Sequence, residues 1–516
     1  MSAERQSQLG TASNIAWRPD KVRVTVAQYD DSAKERQLRL DPLSTELDVY
    51  DPTGDTQTGD PDESADQRND SVTFPQVYDA FNCLDGPLLQ NDLPGTDNRK
   101  TKDQKARERG WGEVYFSSYK HLLSTCEVCL NAAFSYGSLN TYLRQFVKGI
   151  APSDWQAHPT PALKEIDEKL IRDAVNGCWF PVHAMGYNWL RENAEAGKTI
   201  AKRITELMRR YQDQGFGCEK VILVTHSMGG LVARAVLHPD IGNLEDKVLG
   251  VVHGVMPAIG AGTAYKRVRC GFEGNGIGAQ ILGQVGPNVT AVLANAQGGL
   301  ELLPTQAYGN HWLQIRQNKS VLMSLPTHGD PYEEIYKVPN KWFGLLREEW
   351  INPARAKGAG FKRTAKLLDR ARDFHNAIAN TYHSESYAHY GADPAGKTWH
   401  KVVWEIDAKA KVHSVDMLTI DTDSGKGILG LFDPTLPAGG EKLPIRFDAR
   451  LLDPVESGDQ TVPVHSADAQ LRSGRFKGVF RQTGYEHQES YSNPAVLAAT
   501  LYSLIQIASK MKWSKQ

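Results

Sequence analysis

The chain has 516 residues, 40% of them hydrophobic and 23% charged, and 59 Lys and Arg against 61 Asp and Glu leave a net charge of −2. That length allows some three domains at about 150 residues each, or one α/β core with long insertions, and it needs no disulfide or metal staple for stability. The charge balance excludes a dedicated nucleic-acid binder, which carries a clear basic excess, and six cysteines are too few for a disulfide scaffold and fit a reduced, cytosolic origin.

The first element in the chain is a short alternating strand, Val22–Val26. Before it, Met1–Pro19 is polar and has no apolar core of signal-peptide length. Asp51–Asp70 is acidic and rich in Gly, Ser and Thr, and Gly95–Arg109 is a basic counterpart. Both read as solvated, and residues 1–108 as an N-terminal segment with mobile charged loops. Cys126 and Cys129 fall inside an apolar helical stretch without a second pair, so they read as core rather than as a zinc or redox motif.

Ala194–Tyr211 predicts a helix, with Ile200, Ile204, Leu207 and Met208 on one face. Lys220–Thr225 and Val248–Val252 are apolar runs expected of strands buried on both faces, with helical spacing at Leu231, Ala235 and Val236 between them. This alternation predicts a mostly parallel α/β sheet. From 263 to 439 the rhythm is lost, and the segment is expected to be an inserted cap or lid. Within it, Gly271–Leu303 is rich in small residues and expected to be mobile, and Phe361–Tyr382 is an amphipathic helix. Asp421-Thr-Asp423-Ser-Gly425 has Gly425 at the fifth position of a calcium-type loop and no glutamate at the twelfth, so calcium binding is not the expected reading. The sheet pattern is expected to return at Ile445–Leu452 and Phe476–Arg481, and Asn493–Lys510 predicts a closing helix. The core is thus expected over 109–262 and 440–516. No run of about 18 apolar residues occurs, so no spanning helix is expected.

Three places carry chemistry. Thr225-His-Ser-Met-Gly-Gly230 lies between a buried strand and a helix. A serine hydroxyl needs a base to become a nucleophile, and a tight strand-to-helix turn lifts it clear of the backbone. Ser227 is the candidate nucleophile, and the Met228 N–H faces a developing oxyanion. Thr225 replaces the first glycine of the G-x-S-x-G pattern. His226 is read as packing or hydrogen-bonding locally. In Ser457-Gly-Asp-Gln-Thr-Val-Pro463, Asp459 is the candidate acid and Asp453 its near rival. In Thr483-Gly-Tyr-Glu-His-Gln-Glu489, His487 follows the last strand, and the order Ser, Asp, His is that of α/β-hydrolases. His253-Gly254 lies after the elbow and is no oxyanion loop; the second oxyanion donor is unassigned. No G-x-G-x-x-G or Walker pattern occurs, and neither cofactor nor metal is expected.

These motifs resemble those of lipases related to lecithin–cholesterol acyltransferase and the glycosylphosphatidylinositol-anchor deacylases. Val182-His-Ala-Met-Gly-Tyr-Asn-Trp189 is similar to the Tyr-Asp-Trp stretch preceding their elbow. Arg109-Gly-Trp-Gly-Glu113, Gly254-Val-Met-Pro257, Ala264-Tyr-Lys-Arg267, Leu302-Leu-Pro304 and Gly484-Tyr-Glu-His487, in that order, resemble the third family of type VI secretion lipase effectors. The resemblance implies an α/β-hydrolase with Ser227, Asp459 and His487 as nucleophile, acid and base. It also implies an antibacterial phospholipase, made in the cytoplasm and exported without a signal peptide to act on membrane phospholipid in a rival's periplasm. A cognate immunity protein and a secretion-spike or adaptor partner would accompany it. The expected reaction is carboxylic-ester hydrolysis through an acyl-enzyme. The alternatives are an acyltransferase, another cytosolic esterase, or a catalytically silent hydrolase-like binding protein.

Overall fold

The computed structural model describes residues 3–5, 14–17, 28–47, 108–408, 412, 414–435 and 446–513. The principal elements, in chain order, begin with helices α1 (Phe116–Asn131) and α2 (Asn193–Asp213). Strand β1 (Val221–His226), helix α3 (Gly229–Leu237), strand β2 (Val248–Gly254) and helix α4 (Gly286–Leu293) come next. Strands β3 (Leu313–Gln317) and β4 (Ser320–Leu325) precede helix α5 (Phe361–Ile378). Then come β5 (Ser386–Gly391), β6 (Asp393–Thr398), β7 (Val402–Ile406), β8 (Thr419–Asp423) and β9 (Ile428–Phe432). Strands β10 (Arg446–Leu451), β11 (Glu456–Gly458) and β12 (Phe476–Gln482) and helix α6 (Pro494–Ala508) complete the chain. The expected strand at Val22–Val26, the acidic stretch Asp51–Asp70 and residues 95–107 of the basic run lie outside the described residues.

Strands β12, β5, β2 and β1 pair in that order, all parallel. Side-chain alternation along β2 sends Val251 to one face and Val252 to the other. Val251 packs with Ala233 and Leu237 of α3. Val252 packs with Tyr387, Phe480 and the apolar body of α6. Helix α2 buries Ala196, Ile200, Ala201, Ile204, Leu207 and Met208 at helical spacing, on the α3 side. Helix α6 is apolar all round, as a helix inside the molecule must be. It starts at Pro494, its Asn493 cap accepts the Ala495 and Val496 N–H groups, and Thr500 and Ser503 bond back to carbonyls of their own helix. Cys126 and Cys129 of α1 are buried in the same cluster. Among the described residues no helix is long and apolar enough to cross a membrane.

Three expectations are corrected here. The segment 263–439 is not a continuous excursion, because β5 lies inside it and pairs with β2 and β12 in the parallel sheet. Its sequence, Ser-Tyr-Ala-His-Tyr-Gly, lacks the Val/Ile run that marks a parallel strand, although every residue of it is buried. The strand at Ile445–Leu452 forms as β10 but belongs to a second, six-stranded mixed sheet in the order β8-β9-β10-β7-β3-β4. The exposed Arg446, Asp448 and buried Phe447, Ala449 of β10 are the half-solvated alternation of an antiparallel strand. Gly271–Leu303, expected to be mobile, is packed into a core from Ala279 onward, while Gly274–Gly276 are exposed. Val289, Ala291, Val292, Ala294, Ala296, Leu300 and Leu303 are almost wholly enclosed with Trp312, Trp342 and Trp404. Its small residues serve close approach: a side chain at Gly286 would meet the Trp350 ring.

Candidate active site

Strand β1 ends at His226 and α3 begins at Gly229, so two residues make the turn between them. Ser227 sits there at φ 52°, the left-handed region that costs a residue with a side chain about 1 kcal/mol or more. Its N–H donates to the Gly254 carbonyl at 2.8 Å, and its own carbonyl accepts the Gly230 N–H at 2.9 Å. The strained residue is thus held from the neighbouring strand and from the helix below. Met228 is the N-cap of α3, and its N–H meets no acceptor among the described residues. That places a free donor and the positive end of the helix dipole beside the Ser227 hydroxyl. The strand β1 is half-buried rather than enclosed, because it is the edge of the four described strands.

Asp459 follows β11 and is fully buried. Its Oδ1 accepts the Thr461 and Val462 N–H groups at 3.1 and 2.6 Å, and its Oδ2 lies 2.9 Å from His487 Nδ1. The His487 N–H donates to the Asp459 carbonyl at 3.0 Å. A carboxylate only accepts, so Nδ1 carries the proton and Nε2 is left with its lone pair. That Nε2 lies 2.7 Å from Ser227 Oγ. The structure therefore brings Ser227, His487 and Asp459 into one hydrogen-bonded line, with Met228 beside it. Asp453 is exposed on the loop before β11. The arrangement can draw a proton from a hydroxyl into a ring whose positive form is stabilised by a buried carboxylate.

Of the neighbours, Tyr119, Tyr491 and Ser118 carry no sequence signal. His226 Nε2 lies 3.0 Å from the His487 carbonyl, and its Nδ1 lies 3.0 Å from the Tyr119 hydroxyl. The Tyr491 hydroxyl donates to the Thr225 carbonyl, and Gln488 donates to Ser118. Burial, with His487 close by, holds His226 down to about 3. Burial also holds His253 and His389 at about 3. His253 is enclosed on β2, with Nδ1 3.4 Å from the Thr225 hydroxyl. Asp423 accepts from Arg269 and from the Gly425 N–H, as a turn residue in a buried ion pair. Among the described residues no group of three or more His, Cys, Asp or Glu is placed to hold a metal.

The fold and this serine turn define an α/β-hydrolase. The PGAP1-like alpha/beta domain matches residues 182–253, which include β1, the turn and most of β2. A solved structure, "The crystal structure of Tle4-Tli4 complex", is similar with a TM-score of 0.76 and 28% identity, covering 99% of this chain and 97% of that chain. The chain is thus similar to a type VI secretion lipase effector over nearly its whole length. The solved relative is a Tle4, and the likeness is to a Tle4-like effector. No curated protein matches.

Proposed function

We propose that the protein is a serine ester hydrolase that cleaves carboxylic esters of membrane phospholipids as an antibacterial effector. The observation that carries this reading is the line from Ser227 Oγ through His487 to Asp459, at 2.7 and 2.9 Å. Ser227 Oγ attacks the ester carbonyl while His487 Nε2 takes its proton, and Asp459 holds the ring and balances its charge. The Met228 N–H donates to the oxyanion, a contribution of about a hundredfold or more. His487 returns the proton to the leaving alcohol. Water, deprotonated by the same nitrogen, then splits the acyl-enzyme and releases the fatty acid.

The likeness to Tle4, solved with Tli4, supports an effector with a cognate immunity protein. Delivery by a secretion spike or adaptor and action on phospholipid in the target-cell periplasm belong to the same reading. The test is incubation with vesicles of defined phospholipids, followed by mass analysis of the products. Fatty acid and lysophospholipid are expected from the wild type and none from Ser227→Ala, with the fold of the variant intact by circular dichroism. Equal release by Ser227→Ala would contradict the reading.

A further inference from the structure

Resting on the roles just given to Ser227 and His487, we propose that His226 is a positioning residue: its imidazole ties Tyr119 to the backbone of His487 and so holds the base in line with the nucleophile. The residues from Thr483 to Asn493 connect β12 to α6 through two short turns, Glu486–Glu489, closed by the Glu489 N–H to the Glu486 carbonyl, and Ser490–Ser492. His487 is fixed at its N–H by the Asp459 carbonyl and at its own carbonyl by His226 Nε2. The two bonds lie on either side of the Cα that bears the ring, so together they set where the ring points.

The direction of each bond follows from what its atoms can do. A carbonyl only accepts, so His226 carries its proton on Nε2. A neutral ring then offers Nδ1 as acceptor, and the Tyr119 hydroxyl donates to it. Burial keeps the Tyr119 hydroxyl protonated and the His226 ring neutral. The charged and titratable groups facing His226 are His487 and Asp459, with the neutral His389 nearby and Tyr119 and Tyr491 against its ring. The His226 and His487 centroids are 5.2 Å apart. A neutral neighbour leaves the positive charge that forms on His487 to Asp459 alone. His226 contacts the loop and Tyr119 rather than a reacting atom, so its loss acts on kcat and spares KM.

The experiment compares His226→Phe, His226→Gln and His226→Asn on a soluble p-nitrophenyl acyl ester, with fluorophosphonate labelling and thermal midpoints alongside. The Gln amide nitrogen stands where Nε2 does and reaches the carbonyl; the Asn amide is too short. Phe and Asn are expected to lower kcat about tenfold or more with KM held within about twofold, and labelling to slow in parallel. Gln is expected to recover kcat to within about threefold of wild type. If Phe fails to fold, the Gln and Asn pair still decides. Equal activity of Gln and Asn, or kcat of Phe within about twofold of wild type, would overturn the proposal. Ser227→Ala separates the two claims. If it is dead while the His226 variants are unimpaired, only the positioning role falls. If it hydrolyses the ester as fast as wild type, the functional reading falls first.

Discussion

Thr225 stands where the G-x-S-x-G pattern has glycine, and the turn leaves room for its side chain beside Gly229. A Cβ at Gly229 would lie 3.8 Å from the Thr225 Cβ, an ordinary contact. Gly254 has no such room: a Cβ there would come within 2.5 Å of the Tyr491 hydroxyl and 2.7 Å of His389 Nε2. Gly254→Ala should therefore cost about 1–3 kcal/mol in urea unfolding, since the tether from Tyr491 to Thr225 must move; unchanged stability would contradict this packing. Asp459→Asn should lower kcat by about three orders of magnitude or more, less than the loss from Ser227→Ala, while Asp453→Asn leaves it within about twofold. Rate assays on the two variants check this, and a damaging Asp453→Asn would move the acid to that residue. Ser227, Asp459 and His487 were legible because each sits in a turn at a strand end and their chain order fits one mechanism. Tyr119 was not, because it lies 107 residues from His226 and belongs to no motif.

Periodicity marked α2, β1, α3, β2, α5, β12 and α6, where apolar residues repeat with the spacing of the element that buries them. It failed at β5, whose Ser386, His389 and two tyrosines hide a strand that is buried throughout. It misdirected β10, because a strand pattern does not say which of two sheets a strand will join. The ends of elements were legible where capping chemistry is local. Asn493 accepts two N–H groups at the start of α6, and Asn493→Ala should cost about 1 kcal/mol in chemical denaturation. No change would mean that water or a neighbour satisfies those donors equally well.

Across the described residues, burial holds several enclosed imidazoles neutral. His253 and His389 are fully enclosed and held at about 3, against an ordinary value near 6.5. Because the folded value is depressed, the unfolded chain binds the extra protons as pH falls below about 6.5, and stability present above that pH is lost on the way down. Each of the two rings contributes a loss of about 2 kcal/mol at pH 5. His183 and His226, also held at about 3, and His375, at about 4, act in the same direction. Glu301, pushed up to about 8 by burial, runs the other way and offsets one ring. The thermal midpoint should therefore be several degrees lower at pH 5 than at pH 7, as differential scanning fluorimetry can read. A midpoint flat across that interval would mean that these rings are hydrated or protonated in the fold. None of this burial was legible in the sequence, since a histidine looks alike in a loop and in a core. The same holds for Gly271–Leu303, whose small residues fit a flexible segment and a tight helical core equally.

The proposed chemistry stands on Ser227 being an activated nucleophile. Reaction of the native protein with a fluorophosphonate, followed by digestion and mass spectrometry, tests it most directly. One adduct is expected, on the peptide containing Ser227, lost in Ser227→Ala and strongly slowed in His487→Ala. A protein that stays unlabelled, or one labelled at another residue, would contradict it.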